Sequence, residues 1–313
     1  MNLAPIVVFA YCRPDHLKRV LDALAMNSGA AQSHLFIYCD GAKSPADQPA
    51  VDATRSVARG ASGFARVEIF ESESNLGLSQ SILSGVSEIC SRHGRAIVLE
   101  DDVLPTPFFL QYCNDGLDRY ADDDRIISVG CHTFTSDLEL PETFFLNVPD
   151  CWGWGVWERS WRSFNLDGDM LLEEISARGL SEEFDFDGAY PYTQMLRDQV
   201  RGGNQSWAVR WYAHAFLRKK LVLYPGRAVT SNIGFDGSGT HGGTSGAYRN
   251  LFTAERPVCV DAIEVVESEL GRESWKRALR EMSARRGLAL RILHRFDHLF
   301  RPVRSYLGAA SAK

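Results

Sequence analysis

The first 130 residues of the chain alternate two kinds of apolar pattern. Short runs rich in β-branched and aromatic residues predict strands, and between them apolar residues recur about every 3.6 positions, as on one face of a helix. The predicted strands cover residues 5–11, 34–39, 66–70, 96–99 and 126–130, and the predicted helices begin at Pro14, Leu78 and Thr106. Strands that alternate with helices indicate an α/β fold with a mainly parallel central sheet.

The second half of the chain has a less regular pattern. Residues 150–161 contain four tryptophans, residues 202–220 are polar and then helix-like, and residues 221–224 predict a strand. Residues 231–246 form a predicted loop with six glycines. From residue 260 the pattern becomes helical and basic, and the chain contains no internal repeat.

The composition excludes a disordered chain. Of the 313 residues, 45% are hydrophobic and 24% are charged, which is the ordinary balance of a globular protein. No stretch approaches the roughly 18 consecutive apolar residues of a membrane-spanning helix. The apolar run 4–11 has no basic residues before it and is too short for a signal peptide. We therefore expect a cytoplasmic protein.

The chain has seven cysteines, an odd number, and no two of them have the C-x-x-C spacing. Most lie in apolar segments that are predicted to be strands or helices. This pattern argues against both a disulfide framework and a zinc site, and it predicts reduced thiols packed in a core.

Charge is distributed unevenly along the chain. Residues 272–313 hold eleven basic and three acidic side chains, so this tail carries +8, and the rest carries −14 of the total of −6. Apolar residues lie among the arginines, which is typical of a basic amphipathic helix at an anionic membrane surface, here the inner face of the plasma membrane. The alternative is a helix that packs on the acidic body or on a neighbouring subunit. Nucleic-acid binding is disfavoured, because the acidic body would repel phosphates.

Three consecutive acidic residues, Glu100, Asp101 and Asp102, follow the predicted strand 96–99. Like charges this close repel each other unless something neutralises them. A divalent cation, Mn²⁺ or Mg²⁺, with a bound diphosphate would do so, because these ions prefer oxygen ligands and accept an incomplete protein shell. The alternative is a solvated acidic turn, which is how we interpret residues 122–124.

Arg13 and Asp40 follow two other predicted strands of the same sheet. Ligands of such sheets bind beyond the carboxyl ends of the strands. The topology therefore predicts that Arg13, Asp40 and the three acids lie on one edge, although they are far apart in sequence.

Together these motifs resemble those of the GT-A glycosyltransferases. The shared order is a strand followed by Tyr-Cys-Arg-Pro (11–14), a strand ending in Asp-Gly (40–41), Asn-Leu-Gly (75–77) before a helix, and Val-Leu-Glu-Asp-Asp (98–102). The last stretch is similar to the acidic metal-binding motif of these enzymes and is the most specific element. The Trp-Gly-Trp stretch and residues 231–241 resemble bacterial family-2-like sugar transferases, which are related to the N-acetylglucosaminyltransferase I group.

The resemblance implies a GT-A nucleotide-diphospho-sugar transferase fold, which is Rossmann-like with flanking helices. Residues 1–259 would form the transferase domain, in which residues 1–130 bind the nucleotide sugar and residues 131–259 bind the acceptor. Residues 260–313 would form a basic helical tail.

The resemblance also implies roles for the acids and for one histidine. Asp102 would bind the cation, Asp101 would contact the ribose or the donor sugar, and Glu100 would support them from behind. His241 lies in the glycine-rich loop and would reach the metal or the diphosphate, closing over the donor as a lid. The alternative is a structural role for this histidine.

Four further residues would bind the nucleotide sugar. Arg13 would face the nucleotide or its phosphates, and Asp40 would accept a hydrogen bond from uracil N–H or from the ribose. Asn75 and Gly77 would shape the loop beside the nucleotide. Each has a structural alternative, namely a salt bridge for Arg13, a turn for Asp40 and an ordinary helix start for Asn75 and Gly77.

Trp152 and Trp154 are the aromatic candidates for a sugar pocket. Tryptophans at this spacing mostly build a core, but the intervening glycines would let the backbone approach a ligand, and an aromatic face suits a sugar ring. We expect one of the two to line the acceptor or donor pocket.

An inverting transfer needs a carboxylate to deprotonate the acceptor hydroxyl. The N-acetylglucosaminyltransferase I group carries that acid next to a tryptophan, and the comparable stretch here, residues 204–207, has Gln205 in its place. The base would then be Asp198, which we favour, Glu158 or Asp150. Otherwise the placement is wrong or activity is lost.

The sequence thus predicts a metal-dependent glycosyltransferase. It would move a sugar from a nucleotide-diphosphate donor, typically a UDP-sugar, to a glycan or a lipid-linked acceptor in surface polysaccharide synthesis. One alternative is a degenerate transferase that binds nucleotide sugar or glycan as a scaffold. The other is a nucleotidyltransferase, although no glycine-rich phosphate loop followed by lysine is present near the N-terminus.

Overall fold

The computed structural model describes residues 3–134, 138–236 and 253–284. The strands are β1 (Ile6–Ala10), β2 (His34–Cys39), β3 (Arg66–Glu71), β4 (Arg95–Glu100), β5 (Val103–Pro105), β6 (Ile126–Gly130), β7 (Thr143–Leu146), β8 (Trp154–Trp157), β9 (Leu221–Pro225) and β10 (Thr230–Asn232). The helices are α1 (Pro14–Ala25), α2 (Gln48–Arg59), α3 (Leu78–His93), α4 (Phe109–Arg119), α5 (Glu158–Arg162), α6 (Gly168–Ala177), α7 (Ser181–Phe184), α8 (Tyr192–Val200) and α9 (Trp207–Leu217). Residues 269–284 form a further helix.

Eight strands form one sheet in the order β3-β2-β1-β4-β8-β6-β9-β7. Strands β1 to β4 are parallel to one another, β6 and β9 are parallel, and β8 and β7 run antiparallel to their neighbours. β5 and β10 pair antiparallel in a separate two-stranded ribbon. The predicted α/β class with a mainly parallel central sheet is confirmed, and the arrangement is consistent with a GT-A fold. The predicted halves, 1–130 and 131–259, both contribute strands to this one sheet.

Helices cover both faces of the sheet because its central strands are apolar on both sides. In β1, Val7 and Phe9 face one core, whereas Ile6, Val8 and Ala10 face the other. Helices α3, α6, α8 and α9 contribute side chains to the first core, and α1, α2 and α4 contribute to the second. The loops therefore lie at the two ends of the strands, where no helix covers the sheet.

Element bounds agree with the sequence where the apolar pattern is regular. β2 and β6 coincide with the predicted strands 34–39 and 126–130. α4 begins at Phe109 rather than at Thr106, whose backbone N–H donates to the carbonyl of Val229 instead. α2 was not predicted, because it buries only three side chains and its apolar stripe is short.

Residues 253–284 pack on the body with no break at the predicted boundary between residues 259 and 260. Val258 is buried, and the Tyr120 hydroxyl donates to the carbonyl of Asp261 at 3.1 Å. The helix 269–284 buries Trp275 and Leu279 in the core. The first part of the predicted tail is thus a component of the body.

Basic residues of this helix face acids of the body. Arg272 and Lys276 lie 3.3 Å and 3.2 Å from the carboxylate of Asp187. These contacts match the alternative in which the tail packs on the acidic body. The remaining tail residues, 285–313, lie outside the described residues. Among the helices that the structure describes, none is long and apolar enough to cross a membrane.

None of the seven cysteines forms a disulfide. Four of them, Cys39, Cys90, Cys113 and Cys131, are buried, and the sulfur atoms of Cys113 and Cys131 lie in contact at 3.2 Å. The expectation that cysteines pack in the core is confirmed for these four.

Candidate functional site

The carboxyl ends of the parallel strands meet at one edge of the sheet, which we call the rim. Because β8 runs antiparallel to β4, the segment that leads into β8 reaches the same edge at which β4 ends. The rim consists of residues 11–13, 40–41, 72–77, 100–102, 131–134 and 150–153. The predicted convergence of Arg13, Asp40 and Glu100–Asp102 on one edge therefore follows directly from the strand order.

Arg13 binds two of the three acids. Its Nη1 lies 2.9 Å from Asp102 Oδ2, and its Nη2 donates to Asp101 Oδ1. The backbone N–H of Tyr11 donates to the other oxygen of Asp101 at 3.2 Å, and the Asp101 side chain is only 4% exposed. Both oxygens of Asp101 are thus engaged. This placement does not match a direct contact with ribose or sugar, because Asp101 holds Arg13 instead.

Two of the three acids have raised pKa values. Burial raises the pKa of Glu100 well above its usual value, and Asp102 and Asp101 raise that pKa further. Burial also raises the pKa of Asp101, although Arg13 opposes this effect. Burial alone would lower the pKa of Arg13, but Asp101 and Asp102 raise it, so the guanidinium stays charged. The cluster therefore holds a charged guanidinium beside two carboxyl groups whose burial disfavours their ionised form.

Asp102 is the acid with a spare oxygen. Its Oδ1 is buried and has no hydrogen-bond partner within the described ranges. The backbone N–H of Ile233 donates to the Asp102 carbonyl at 2.8 Å, and a Cβ on Gly234 would overlap the carboxylate, so only glycine fits there. An unpartnered buried carboxylate oxygen is costly unless a ligand satisfies it.

The donor set allows a divalent cation only in part. Among the described residues, no three His, Cys, Asp or Glu side chains are placed to hold a metal ion. Asp102 Oδ1 supplies one hard oxygen, whereas Mg²⁺ takes about six. The residues therefore fit an ion that draws most of its ligands from a bound diphosphate and water.

The glycine-rich loop starts beside the acids. β10 pairs with β5, and the chain then passes Asp102 at Gly234. His16 Nε2 lies 3.2 Å from Asp236 Oδ2 and 3.3 Å from the carbonyl of Ile233, which ties this segment to α1. His241 lies outside the described residues, so its predicted role remains a prediction.

Asp40 organises the rim loop that follows β3. Its Oδ1 accepts from the backbone N–H groups of Gly41 and Leu76, each at 2.8 Å. Its Oδ2 accepts from Gly77 N–H at 2.9 Å and from Asn75 Nδ2 at 3.1 Å. The Asp40 residue is 8% exposed, and its carboxylate already accepts from four donors. The predicted contact of Asp40 with uracil or ribose is not supported, because no acceptor site is left.

Asn75 and Gly77 shape the loop that leads into α3, and whether this loop borders a nucleotide stays a prediction. Asn75 Nδ2 also donates to the carbonyl of Gly41 at 2.8 Å. Gly77 adopts a φ of 76°, in the region that favours glycine, and directly precedes α3. A Cβ on Gly77 would lie 3.5 Å from Gln205 Oε1, so Gln205 borders the rim at this loop.

The two candidate tryptophans have different environments. Trp154 is 2% exposed, and its ring centroid lies 5.4 Å from those of Trp161 and Trp207. It belongs to the core. Trp152 is half-buried at the rim, in edge-to-face contact with His132 at 4.5 Å and with Phe235 at 5.6 Å.

The glycines of the Trp-Gly-Trp stretch serve packing inside the protein. A Cβ on Gly153 would lie 2.8 Å from Thr230 Cγ2, and one on Gly155 would lie 3.2 Å from the Leu117 side chain. The close backbone approach that the sequence suggested is therefore to the core. Of the two tryptophans, Trp152 alone remains a candidate for a sugar contact.

Asp150 lies on the rim and has the strongest features of a general base. Its Oδ2 accepts from the backbone N–H of Trp152 at 3.0 Å. Burial raises its pKa to about 7, with the backbone donors of Trp152 and Cys151 opposing the shift. The same acid contributes to the raised pKa of Glu100, so the two carboxyl groups belong to one cluster. A carboxyl with a pKa near neutrality can both take and release a proton.

Glu158 does not join this cluster, and the Asp198 carboxylate makes its hydrogen bond within its own helix. Trp157, at the end of β8, pairs with Arg95 at the start of β4, so Glu158 lies at the sheet edge opposite the rim. Asp198 lies on α8, which packs on α6, α7 and α9, and it accepts from Gln194 of the same helix at 2.7 Å. The direction of β8, for which the sequence carries no signal, places Glu158 away from the rim. The preference for Asp198 as the base stays a prediction.

No protein-family model matches the sequence, and no curated protein sequence matches it either. Among solved structures, the chain is similar to S. aureus TarS 1–349, with 8% identity and a TM-score of 0.38 over 72% of this chain and 59% of that one. A second S. aureus TarS structure has 11% identity and a TM-score of 0.27 over 44% of this chain and 23% of that one. The chain thus spans less than two thirds of either structure. Likenesses this weak do not assign a family.

Proposed function

We propose that the chain is a glycosyltransferase that transfers a sugar from a nucleotide-diphosphate donor with inversion at the anomeric carbon. The observation that carries this proposal is the position of Asp150, a carboxyl with a pKa of about 7, in the same rim cluster as the spare oxygen of Asp102. Asp150 suits the proton transfer, and Asp102, through a bound cation, suits the charge of the leaving group.

Donor binding would use the rim between β1 and β4. Arg13 would bind a phosphate while it keeps its contact with Asp101. Asp102 Oδ1 would hold Mn²⁺ or Mg²⁺, which would supply positive charge to the departing diphosphate. The loop 75–77, fixed by Asp40, would border the nucleotide.

Asp150 would act on the acceptor. Its carboxylate would take the proton of an acceptor hydroxyl as that oxygen forms a bond to the anomeric carbon. The bond from the anomeric carbon to the diphosphate oxygen breaks, and its electron pair leaves with the nucleoside diphosphate. Trp152, two residues away, would offer its ring to one of the sugars.

A binding protein without turnover is the second candidate. The observation that favours it is the Arg13–Asp102 ion pair at 2.9 Å, which gives the acids a resident cation without any metal. Such a site would bind the donor through Arg13 and would leave it intact.

The transferase proposal also includes UDP as the nucleotide, a surface polysaccharide as the product and a cytoplasmic location.

The two candidates differ in nucleotide release. We expect the purified chain with Mn²⁺ to release the nucleoside diphosphate slowly from one class of donor, among UDP-, GDP- and CMP-linked sugars, because water can replace the acceptor at Asp150. For a CMP-linked sugar the released product would be the monophosphate. Release is measured by a coupled nucleotide assay. Binding of a donor with no release from it would favour the second candidate.

A further inference from the structure

Four exposed apolar side chains lie on the segments that lead into α3 and α6, which one arginine joins beside the rim. We call this surface the mouth patch, and it comprises Leu76, Leu78, Leu166, Met170 and Arg210. The apolar members are 46–60% exposed. Of the seven large apolar side chains that are exposed in the described part of the chain, four lie here. Concentration of exposed apolar surface in one place marks an interaction site.

Hydrogen bonds of Arg210 hold the patch together. Its Nη1 donates to the carbonyl of Leu166 at 3.0 Å, and its Nη2 lies 3.4 Å from Ser79 Oγ, one residue beyond Leu78. A Cβ on Gly168, between Leu166 and Met170, would lie 3.6 Å from Arg210 Cδ. The start of α3 and the start of α6 therefore meet at this guanidinium.

Arg210 lacks a compensating negative charge. It is half-buried, and no carboxylate within the described ranges lies close enough to form an ion pair with it. Its Nε is buried and has no hydrogen-bond partner there. Burial lowers the pKa of Arg210 and no other group raises it, in contrast to Arg13. An anion that contacts Arg210 would recover the free energy that this burial costs.

The mouth patch borders the proposed active site. Leu76 and Gly77 belong to the rim loop that Asp40 fixes. Gln205 lies against Gly77, and Trp207, two residues further on, packs on Trp154 at the start of β8. A molecule on the patch would thus extend toward Asp150 and Trp152, which precede β8.

We propose that the mouth patch binds the lipid-phosphate part of a lipid-linked acceptor, with the phosphate on Arg210 and the hydrocarbon chain on the four apolar side chains. The proposal rests on the proposed function, since the acceptor hydroxyl would then reach Asp150. A small free anion would leave the apolar side chains in water. A purely apolar partner would bury Arg210 further without an anion. An amphiphile with a phosphate next to its chain satisfies both parts.

The test uses the full chain and farnesyl phosphate below its micellar concentration, with farnesol and inorganic phosphate as partial ligands. By calorimetry, we expect farnesyl phosphate to bind at least about tenfold more tightly than either, because both parts of the patch contribute. Arg210→Gln and the double variant Leu76→Ser/Leu78→Ser should each weaken binding about tenfold. The matched controls, exposed Arg201→Gln and Met26→Ser, should bind like the wild type.

Several outcomes would overturn the proposal. One is farnesyl phosphate binding that neither patch variant changes, and another is equal binding of farnesol. Tight binding to vesicles of phosphatidylcholine and phosphatidylglycerol that the patch variants abolish, without farnesyl phosphate binding, would reassign the patch to general membrane contact. Arg210→Lys keeps the charge and should retain part of the affinity even if Arg210→Gln fails to fold.

A parallel thermal shift with nucleotide sugars separates the two claims. Donor stabilisation without farnesyl phosphate binding would overturn the acceptor assignment and leave the transferase proposal intact. Farnesyl phosphate binding without donor stabilisation would overturn the transferase proposal and leave the mouth patch as a lipid-phosphate site without an acceptor role.

Discussion

Replacement of Asp150 by Asn will lower the rate of sugar transfer by about 10²–10⁴-fold, because the amide cannot accept the proton of the acceptor hydroxyl. The rate of the wild-type chain should rise with pH and level off above a pKa of about 7, since the base must be ionised. Transfer is measured as the nucleoside diphosphate released in the presence of an acceptor, from pH 5 to pH 9.

Asp198→Asn and Glu158→Gln are the matched controls for Asp150→Asn. Each removes one carboxylate of equal charge, but Glu158 follows the far end of β8 and Asp198 is hydrogen-bonded within α8. We expect both variants to transfer at the wild-type rate. Loss of transfer in Asp198→Asn, with Asp150→Asn fully active, would contradict the assignment of the base.

The same carboxyl gives the fold a pH dependence of definite sign. Burial raises the folded pKa of Asp150 to about 7, above the usual value of 3.8 for aspartate. The folded state therefore binds more protons than the unfolded state between these pH values, and the contribution of Asp150 to stability falls as pH rises through this window. Asp150→Asn should consequently be more stable than the wild type at pH 8, as urea denaturation at that pH would measure, although it transfers sugar more slowly.

Trp154→Ala will lower the free energy of unfolding by about 3–5 kcal/mol, because it opens a cavity among packed indole rings. Trp152→Ala should cost about 1–2 kcal/mol, since its ring is only partly buried and makes mainly edge-to-face contacts. Urea denaturation at constant m-value measures both changes.

For substrate affinity we expect the opposite order: the variant with the smaller loss of stability, Trp152→Ala, should have the larger change in KM. Trp152→Ala should raise the KM for donor or acceptor, whereas Trp154→Ala, where it folds, should not. A Trp154→Ala chain that unfolds at the wild-type urea concentration would contradict the core position of Trp154. An unchanged KM in Trp152→Ala would remove this residue from the proposed sugar contacts.

Sequence patterns predicted the layer architecture and the edge at which the site lies. β2 and β6 have continuous apolar runs, so their bounds could be read directly. The convergence of Arg13 with Asp102 followed from the parallel topology alone. Those inferences need only the local periodicity of apolar residues and the rule that parallel strands end at the same edge of a sheet.

The roles of individual acids could not be read in the same way. Whether Asp40 faces a ligand depends on the four donors that the loop 75–77 and Gly41 direct at it. Whether Glu158 or Asp150 is at the rim depends on the direction of β8, which has no local signal. Asp150 precedes the apolar strand β8. An antiparallel β8 would have placed this acid at the rim and made it the first candidate for the base.

The most direct test of the transferase account is the thermal shift produced by UDP-, GDP- and CMP-linked sugars with and without Mn²⁺, in the wild type and in Asp102→Ala. A donor at 100 times its Kd stabilises the fold by about 2.7 kcal/mol. We predict that one class of donor raises Tm only when Mn²⁺ is present and that Asp102→Ala abolishes the shift. A wild-type chain whose Tm no donor raises, with or without Mn²⁺, would contradict the account.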